Sequence, residues 1–221
     1  AEGAEIPIGT QTYTPVTFTA AKYGERPLIT REMVADAKFD VIAQEIRKVG
    51  YKIENSLNQV ALSAILEGSG TAADCGNAGT GAAFVAGIAT AVGGLIGLGF
   101  TPTDTVYYPT AYGAVINQVS GLNSTSADTV LRTGRIPALF GTNSHICGVV
   151  DTSATYTWGY GSDNNIGALV VDRNAAGGIG LREDIAIEQY SDPIRDLVGM
   201  KIVARFDAQK FQANAIYRVQ Y

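Results

Sequence analysis

Residues 39–66 read FDVIAQEIRKVGYKIENSLNQVALSAIL, and the spacing within them decides the fold. Phe39, Ile42, Ile46, Val49, Ile53, Leu57 and Val60 recur at steps of three and four, one continuous apolar stripe along an α-helix. Gln44, Glu45, Arg47, Lys48, Lys52, Glu54, Asn55, Asn58 and Gln59 fill the other face. Asp36 or Asp40 offers a carboxylate to cap the start, and Gly68 with Gly70 ends the helix. At 1.5 Å per residue it is about 42 Å long. That exceeds what a compact core of 221 residues needs. Such a rod lies across a thin sheet. Gly50 costs about 1 kcal/mol relative to Ala inside it and is expected to mark a close crossing with a neighbouring strand.

Ahead of the helix, residues 5–24 read EIPIGTQTYTPVTFTAAKYG. From Glu5 to Phe18, β-branched and aromatic residues alternate with small polar ones, the pattern of an extended strand pair. Its apolar content is Ile6, Ile8, Tyr13, Val16 and Phe18, too little for a hairpin to bury by itself. These side chains are therefore expected to be covered by another subunit. A chain that opens on an arm needing a partner is built to assemble.

Behind the helix a Gly/Ala/Thr loop over residues 68–82 leads into AAFVAGIATAVGGLIGLGF, residues 82–100. No charge falls between Asp74 and Asp104, so a membrane span is one reading of this segment. Its glycines and the lack of a Lys or Arg anchor at either end favour the other reading, a helix buried in a second subdomain. Thr105–Tyr108 reads as a buried strand stopped by Pro109, followed by a helix over residues 110–118. Residues 121–180 are turn-rich, with short strands at His145–Val150 and Ala168–Val171. The end of the chain is β: Ile185 and Ile187 alternate with Asp184 and Glu188, and Ile202, Ala204 and Phe206 with Lys201, Val203 and Arg205. Tyr217, Val219 and Tyr221 alternate with Arg218 and Gln220 in the same way. Helices followed by paired long strands make the chain α+β.

Composition narrows the function. With 46% hydrophobic and 17% charged residues the chain is an ordinary globular one, and a net charge of −5 without a basic cluster argues against a nucleic-acid grip. Cys75 and Cys147 make neither a disulfide framework nor a zinc site; they read as small buried hydrophobes, with one pairing between them left open. No signal peptide is legible in AEGAEIP, and a start on Ala suggests processing or a missing beginning. His145, the lone histidine, reads as structural, because no nucleophile or orienting carboxylate is nominated for it. No G-x-S-x-G, C-x-x-C, H-E-x-x-H or phosphate-loop motif occurs, so no catalytic, cofactor-binding or metal-binding residue is assigned. Asn123-Ser124-Thr125 fits a glycosylation sequon by chance. Arg182, Glu183, Asp184, Arg195 and Asp196 form a charge-rich set near the last strands, a solvated face or a source of ion pairs between subunits.

The order of these segments, with IPALFG, NNIGALVVDR and LREDIAIEQYSDPIRDLVGMKIVARFDAQKFQANAIYRV after the apolar helix, resembles a family. It is similar to the major capsid proteins of tailed double-stranded DNA phages and archaeal viruses, whose fold is named for phage Hong Kong ninety-seven. The resemblance covers nearly the whole chain. It implies an extended E-loop over residues 1–20, in a mature form lacking the N-terminal arm. Residues 21–70 and 178–206 would form a peripheral P domain with its spine helix, and residues 71–177 and 207–221 an axial α/β A domain. Pentamers and hexamers of the chain would build an icosahedral shell in the virion, assembled in the host cytoplasm, enclosing DNA without sequence-specific binding. A decoration protein, a portal and a scaffold are the partners the family implies. Ile6, Ile8, Tyr13, Val16 and Phe18 of the E-loop, and Arg182, Glu183, Arg195 and Asp196 of the P domain, would make the contacts between subunits.

One family chemistry does not carry over. Some members join an E-loop lysine to a P-domain asparagine with help from a glutamate. Here those positions fall on Ile6, Asp196 and Val203, which lack the amine, the amide and the proton acceptor. A noncovalent shell is expected. Two other readings stand beside it: an encapsulin-like compartment subunit, and a membrane-associated protein anchored by residues 82–100.

Overall fold

The computed structural model describes residues 14–36, 40–75, 81–122, 130, 132–136, 138–149, 155–160, 165–192, 194–195 and 197–220. Two strands, β1 (Ala21–Glu25) and β2 (Leu28–Thr30), and a short helix α1 (Arg31–Asp36) precede the long helix α2 (Val41–Gly68). Then come β3 (Thr71–Asp74), α3 (Gly81–Gly97), β4 (Asp104–Tyr107) and α4 (Pro109–Leu122). Short strands β5 (Ala138–Leu139), β6 (Thr142–Ile146) and β7 (Thr157–Trp158) lead to β8 (Asn165–Val171). The chain closes with β9 (Gly177–Asp192), β10 (Leu197–Lys210) and β11 (Ile216–Gln220).

Helix α2 follows its stripe. Asp40 caps it, its carboxylate accepting from the Ala43 amide at 3.0 Å. The helix runs on through Gly68, and Ser69 ends it instead of the expected glycine pair. Ser69 Oγ donates to the Leu66 carbonyl at 2.8 Å, and the Arg218 guanidinium donates to Ser69 Oγ at 2.8 Å while lying over the Tyr156 ring. A cation at a helix C-terminus meets the negative end of the dipole there. Gly50 has open space where a Cβ would stand, so no strand crosses close to it. Phe39 lies outside the described residues.

The strands form two sheets. In the first, β10 is central: β9 pairs antiparallel along its whole length on one side, and β1 and β2 share the other. Val49 and Ile53 of α2 pack on Ile202, Ala204 and Phe206 of β10, the alternation read from the sequence. Tyr23 of β1 stacks on Phe206 with ring centroids 4.3 Å apart. The second sheet is mixed, ordered β3-β11-β8-β4-β6-β5, with β7 beside β8. Its central strand β8 is buried on both faces, as its unbroken apolar run requires. Leu62 and Leu66 of α2 pack on Leu169, Val171 and Ile216 on one face. Helices α3 and α4 cover Ala168, Val170 and Val219 on the other. Helix α2 thus carries both cores, its first half on one sheet and its second half on the other.

Several expectations shift. Strand β4 ends ahead of Pro109, and Pro109 is itself the first residue of α4, a position where the missing N–H costs nothing. Strand β6 begins at Thr142 and ends at Ile146, because its parallel partner β4 spans only Asp104–Tyr107. The last hairpin is longer than the alternation indicated. Strand β9 bulges where Ala186, Glu183 and Leu181 face Val203, Arg205 and Phe206, and a bulge breaks the period of two. Helix α3 buries Phe84, Ile88, Ala91, Val92 and Leu95 inside the protein, and no helix among the described residues is long and apolar enough to cross a membrane. It approaches the second sheet at Gly87, where a Cβ would stand 2.1 Å from Cys75 Sγ. That overturns the anchor reading of residues 82–100.

Candidate assembly surfaces

The expected contact residues fall in three places. Ile6, Ile8 and Tyr13 lie outside the described residues, as does Asp196. Val16 and Phe18 sit in residues 14–20, which form no strand where a hairpin was expected. Both are part-exposed, and Phe18 has neighbours in its own chain: its ring meets Phe211 edge to face and lies over Gly180. Arg182 and Glu183 are exposed on β9, Glu183 opposite Arg205 in register. Arg195 is exposed in the turn between β9 and β10. From Glu183 to that turn the strand runs roughly 30 Å, so the charges do not form one cluster. Val203, aligned with the crosslinking glutamate, is buried in the first sheet.

Exposed apolar side chains concentrate on the long hairpin. Ile179, Leu181, Ile185 and Ile187 of β9 each leave about half of their surface exposed, and Ile194 in the turn is 93% exposed. The alternation in the sequence showed Ile185 and Ile187 as one side of a strand. It did not show that α2 covers β10 and leaves β9 open. Among the described residues β9 pairs only with β10, so its outer edge offers a 16-residue row of backbone groups.

A polar cluster that the sequence reading missed lies where the two sheets meet. Asp104, with 7% of its side chain exposed, opens β4. Its Oδ2 accepts from Thr103 Oγ1 at 2.9 Å and pairs with Arg173 Nε at 3.3 Å. Its Oδ1 accepts from Asn143 Nδ2 at 3.3 Å and stands 2.9 Å from His145 Nε2. His145 therefore has an orienting carboxylate after all. Burial raises the Asp104 pKa, but hydrogen bonds from His145, Thr103 and Asn143 and the Arg173 charge outweigh it and hold the carboxyl below its ordinary value. The cluster bolts β4 to β6 and to the turn after β8. It borders a groove of about 590 Å³ that Ala61 and Ile65 of α2 and Ile179 of β9 also line. The sequence did carry a signal, since Asp104 is the lone charge between Asp74 and Asp128 and opens an apolar strand.

Cys75 and Cys147 are free thiols packed against separate cores. Burial, and then the Asp74 charge beside it, push the Cys75 thiol up to about 11. Asn123 lies outside the described residues. Among the described residues no group of three or more His, Cys, Asp or Glu converges as a metal site would need.

Known proteins match this architecture. Residues 13–219 match the family model described as phage capsid protein. No curated protein matches the chain in sequence. The capsid structure of Cyanophage P-SCSP1u superposes with a TM-score of 0.73 at 14% identity, over the whole of this chain and 80% of the other. Mycobacterium phage Ogopogo gives 0.69 at 16% identity over 100% and 81% of the two chains. The capsid of the native GTA particle gives 0.67 at 14% identity over 100% and 80%. With one long helix shared by two sheets and a family match that spans nearly all of its sequence, the chain belongs to the phage capsid protein family and is a major capsid protein with the Hong Kong ninety-seven fold.

Proposed function

We propose that the protein builds an icosahedral, noncovalent shell around double-stranded DNA by laying the leading arm of residues 1–20 on a neighbouring copy, its root at Phe18 and Thr19 staying on its own subunit. Residues 21–70 and 178–206 act as the peripheral domain, and residues 71–177 and 207–221 gather around the axes where five or six copies meet. Helix α2 and the β9–β10 hairpin cross between the two; β10 itself runs on to Lys210. The observation that carries this reading is the row of half-exposed Ile179, Leu181, Ile185 and Ile187, continued by Ile194 at the tip. A strip of apolar surface on an unpaired strand is what a neighbouring copy would cover. At about 25 cal/mol per Å² of apolar area removed from water, a small strip repeated over many contacts stabilises a large particle.

The role is structural and requires no catalysis. Assembly takes place in the host cytoplasm, with a decoration protein, a portal and a scaffold as partners. Ile6, Asp196 and Val203 lack the groups a crosslink needs, which supports a shell held without covalent bonds. Electron microscopy of the purified protein tests the reading: closed particles of uniform diameter are expected, and a monodisperse monomer at every concentration would refute it. Denaturing electrophoresis of particles should return one monomer band; a ladder of multimers would refute the noncovalent shell.

A further inference from the structure

Phe18 and Phe211 come together over two glycines of β9. Their rings meet edge to face, centroids 6.3 Å apart at 82°. A Cβ on Gly180 would stand 2.7 Å from Phe18 Cδ1, and one on Gly178 2.7 Å from Phe211 Cζ. Each ring occupies the room that a side chain on β9 would fill. Gly180 and Gly178 face Asp207 and Gln209 across the hairpin, so all four belong to one side of the sheet. On that side the Asp207 carboxylate accepts from the Thr19 amide at 2.7 Å. Gln209 Nε2 and the Ala208 amide donate to the same carboxylate at 3.1 and 2.9 Å. Glycine weakens a strand interior unless something else covers the backbone there, and aromatic rings laid on strand glycines supply that cover. The segment ahead of β1, the root of β9 and the end of β10 are thereby joined at one spot.

We propose that Phe18, Phe211 and Asp207 form a clasp that fixes where the leading arm leaves its subunit, so that arm and β9–β10 hairpin meet a neighbouring copy as one preorganised body. The inference rests on the shell reading above. A docking segment already held in its bound direction loses less freedom on contact than one on a free joint.

The test uses the full chain, unassembled and assembled. Gly180→Ala pushes the Phe18 ring off β9 without altering Phe18, Phe211 or Asp207; Phe211→Leu removes the edge-to-face partner; Asp207→Asn weakens the Thr19 bond while keeping its shape. In each variant the Thr19 amide is expected to exchange with deuterium about tenfold faster, as a locally opened segment does, while α2 amides keep their wild-type protection. Shells from the same preparations are expected to fall in yield or to spread in diameter. Wild-type Thr19 exchange in all three variants overturns the clasp. So does fast exchange combined with wild-type yields of uniform shells. Combining Gly180→Ala with Phe18→Ala gives the control: with the ring gone, the added methyl has nothing to displace and exchange should rise no further. An additive rise overturns the proposal. Wild-type protein that builds no shell counts against the shell reading instead, and the exchange measurement still decides the clasp.

Discussion

Asp104 is a buried carboxylate that ties several parts of the second sheet together. It joins β4 to β6 and to Arg173, and its burial makes each bond stronger and its loss more costly. Asp104→Ala is expected to destabilise the fold by about 1.5–3 kcal/mol, the worth of hydrogen bonds to a charged group, read from urea midpoints at neutral pH. The pH dependence has a definite sign. A carboxyl whose folded pKa lies below its unfolded value of about 3.9 contributes in full above that value, and loses the contribution as pH falls through the lower folded value. The urea midpoint of wild type should therefore drop on acidification below about pH 4, and Asp104→Asn should flatten that drop. An equal drop in both proteins would contradict the assignment. The pair was hidden from the sequence because Asp104 and His145 lie 41 positions apart and meet only through parallel pairing of β4 with β6. The lone carboxylate entering an apolar strand was legible as needing a partner; which partner was not. Gly87 and Cys75 give a second test at this scale. Gly87→Ala should cost about 1–3 kcal/mol through overpacking against the thiol, and adding Cys75→Ala should recover most of the loss in thermal melts.

At the scale of elements, α2 was the most legible part of the chain. Its stripe is one-sided and unbroken, and a period of 3.6 over that length admits one interpretation. Strand β10 was legible for the same reason: Ile202, Ala204 and Phe206 face α2, and the alternation survives in the sequence. Strand β9 was not. Neither of its faces is fully covered within the subunit, and its bulge shifts the register. Its start near Gly177 and its length become visible only once β10 supplies a partner. The short strands of the second sheet were blurred because each takes its ends from a neighbour. Truncations in the two cores that α2 joins make the division of labour measurable. Leu66→Ala, in the core of the second sheet, should cost about 2–5 kcal/mol. Phe206→Ala, in the core of the first, should cost about 3–5 kcal/mol. A loss below 1 kcal/mol at either position, by chemical denaturation, would show that the core there is not packed as described.

For the whole molecule, the surfaces that stabilise the subunit and those that serve assembly are separable. Ile194 projects into solvent and touches neither core, so Ile194→Asp should leave the thermal midpoint within a degree or two, as surface changes do. The same substitution should lower the yield of particles in sedimentation, because a charge replaces an apolar tip. A variant that assembles like wild type would remove that tip from the assembly surface. The two sheets differ in partner strands, in covering helices and in sequence origin, yet they are not independent bodies. Val49 and Leu66 are teeth on a single rod, and a rod does not dissolve by halves. In a calorimeter the free subunit should thus give one endotherm rather than two, with Leu66→Ala moving the entire peak downward together with the signal of Tyr23 stacked at the far end.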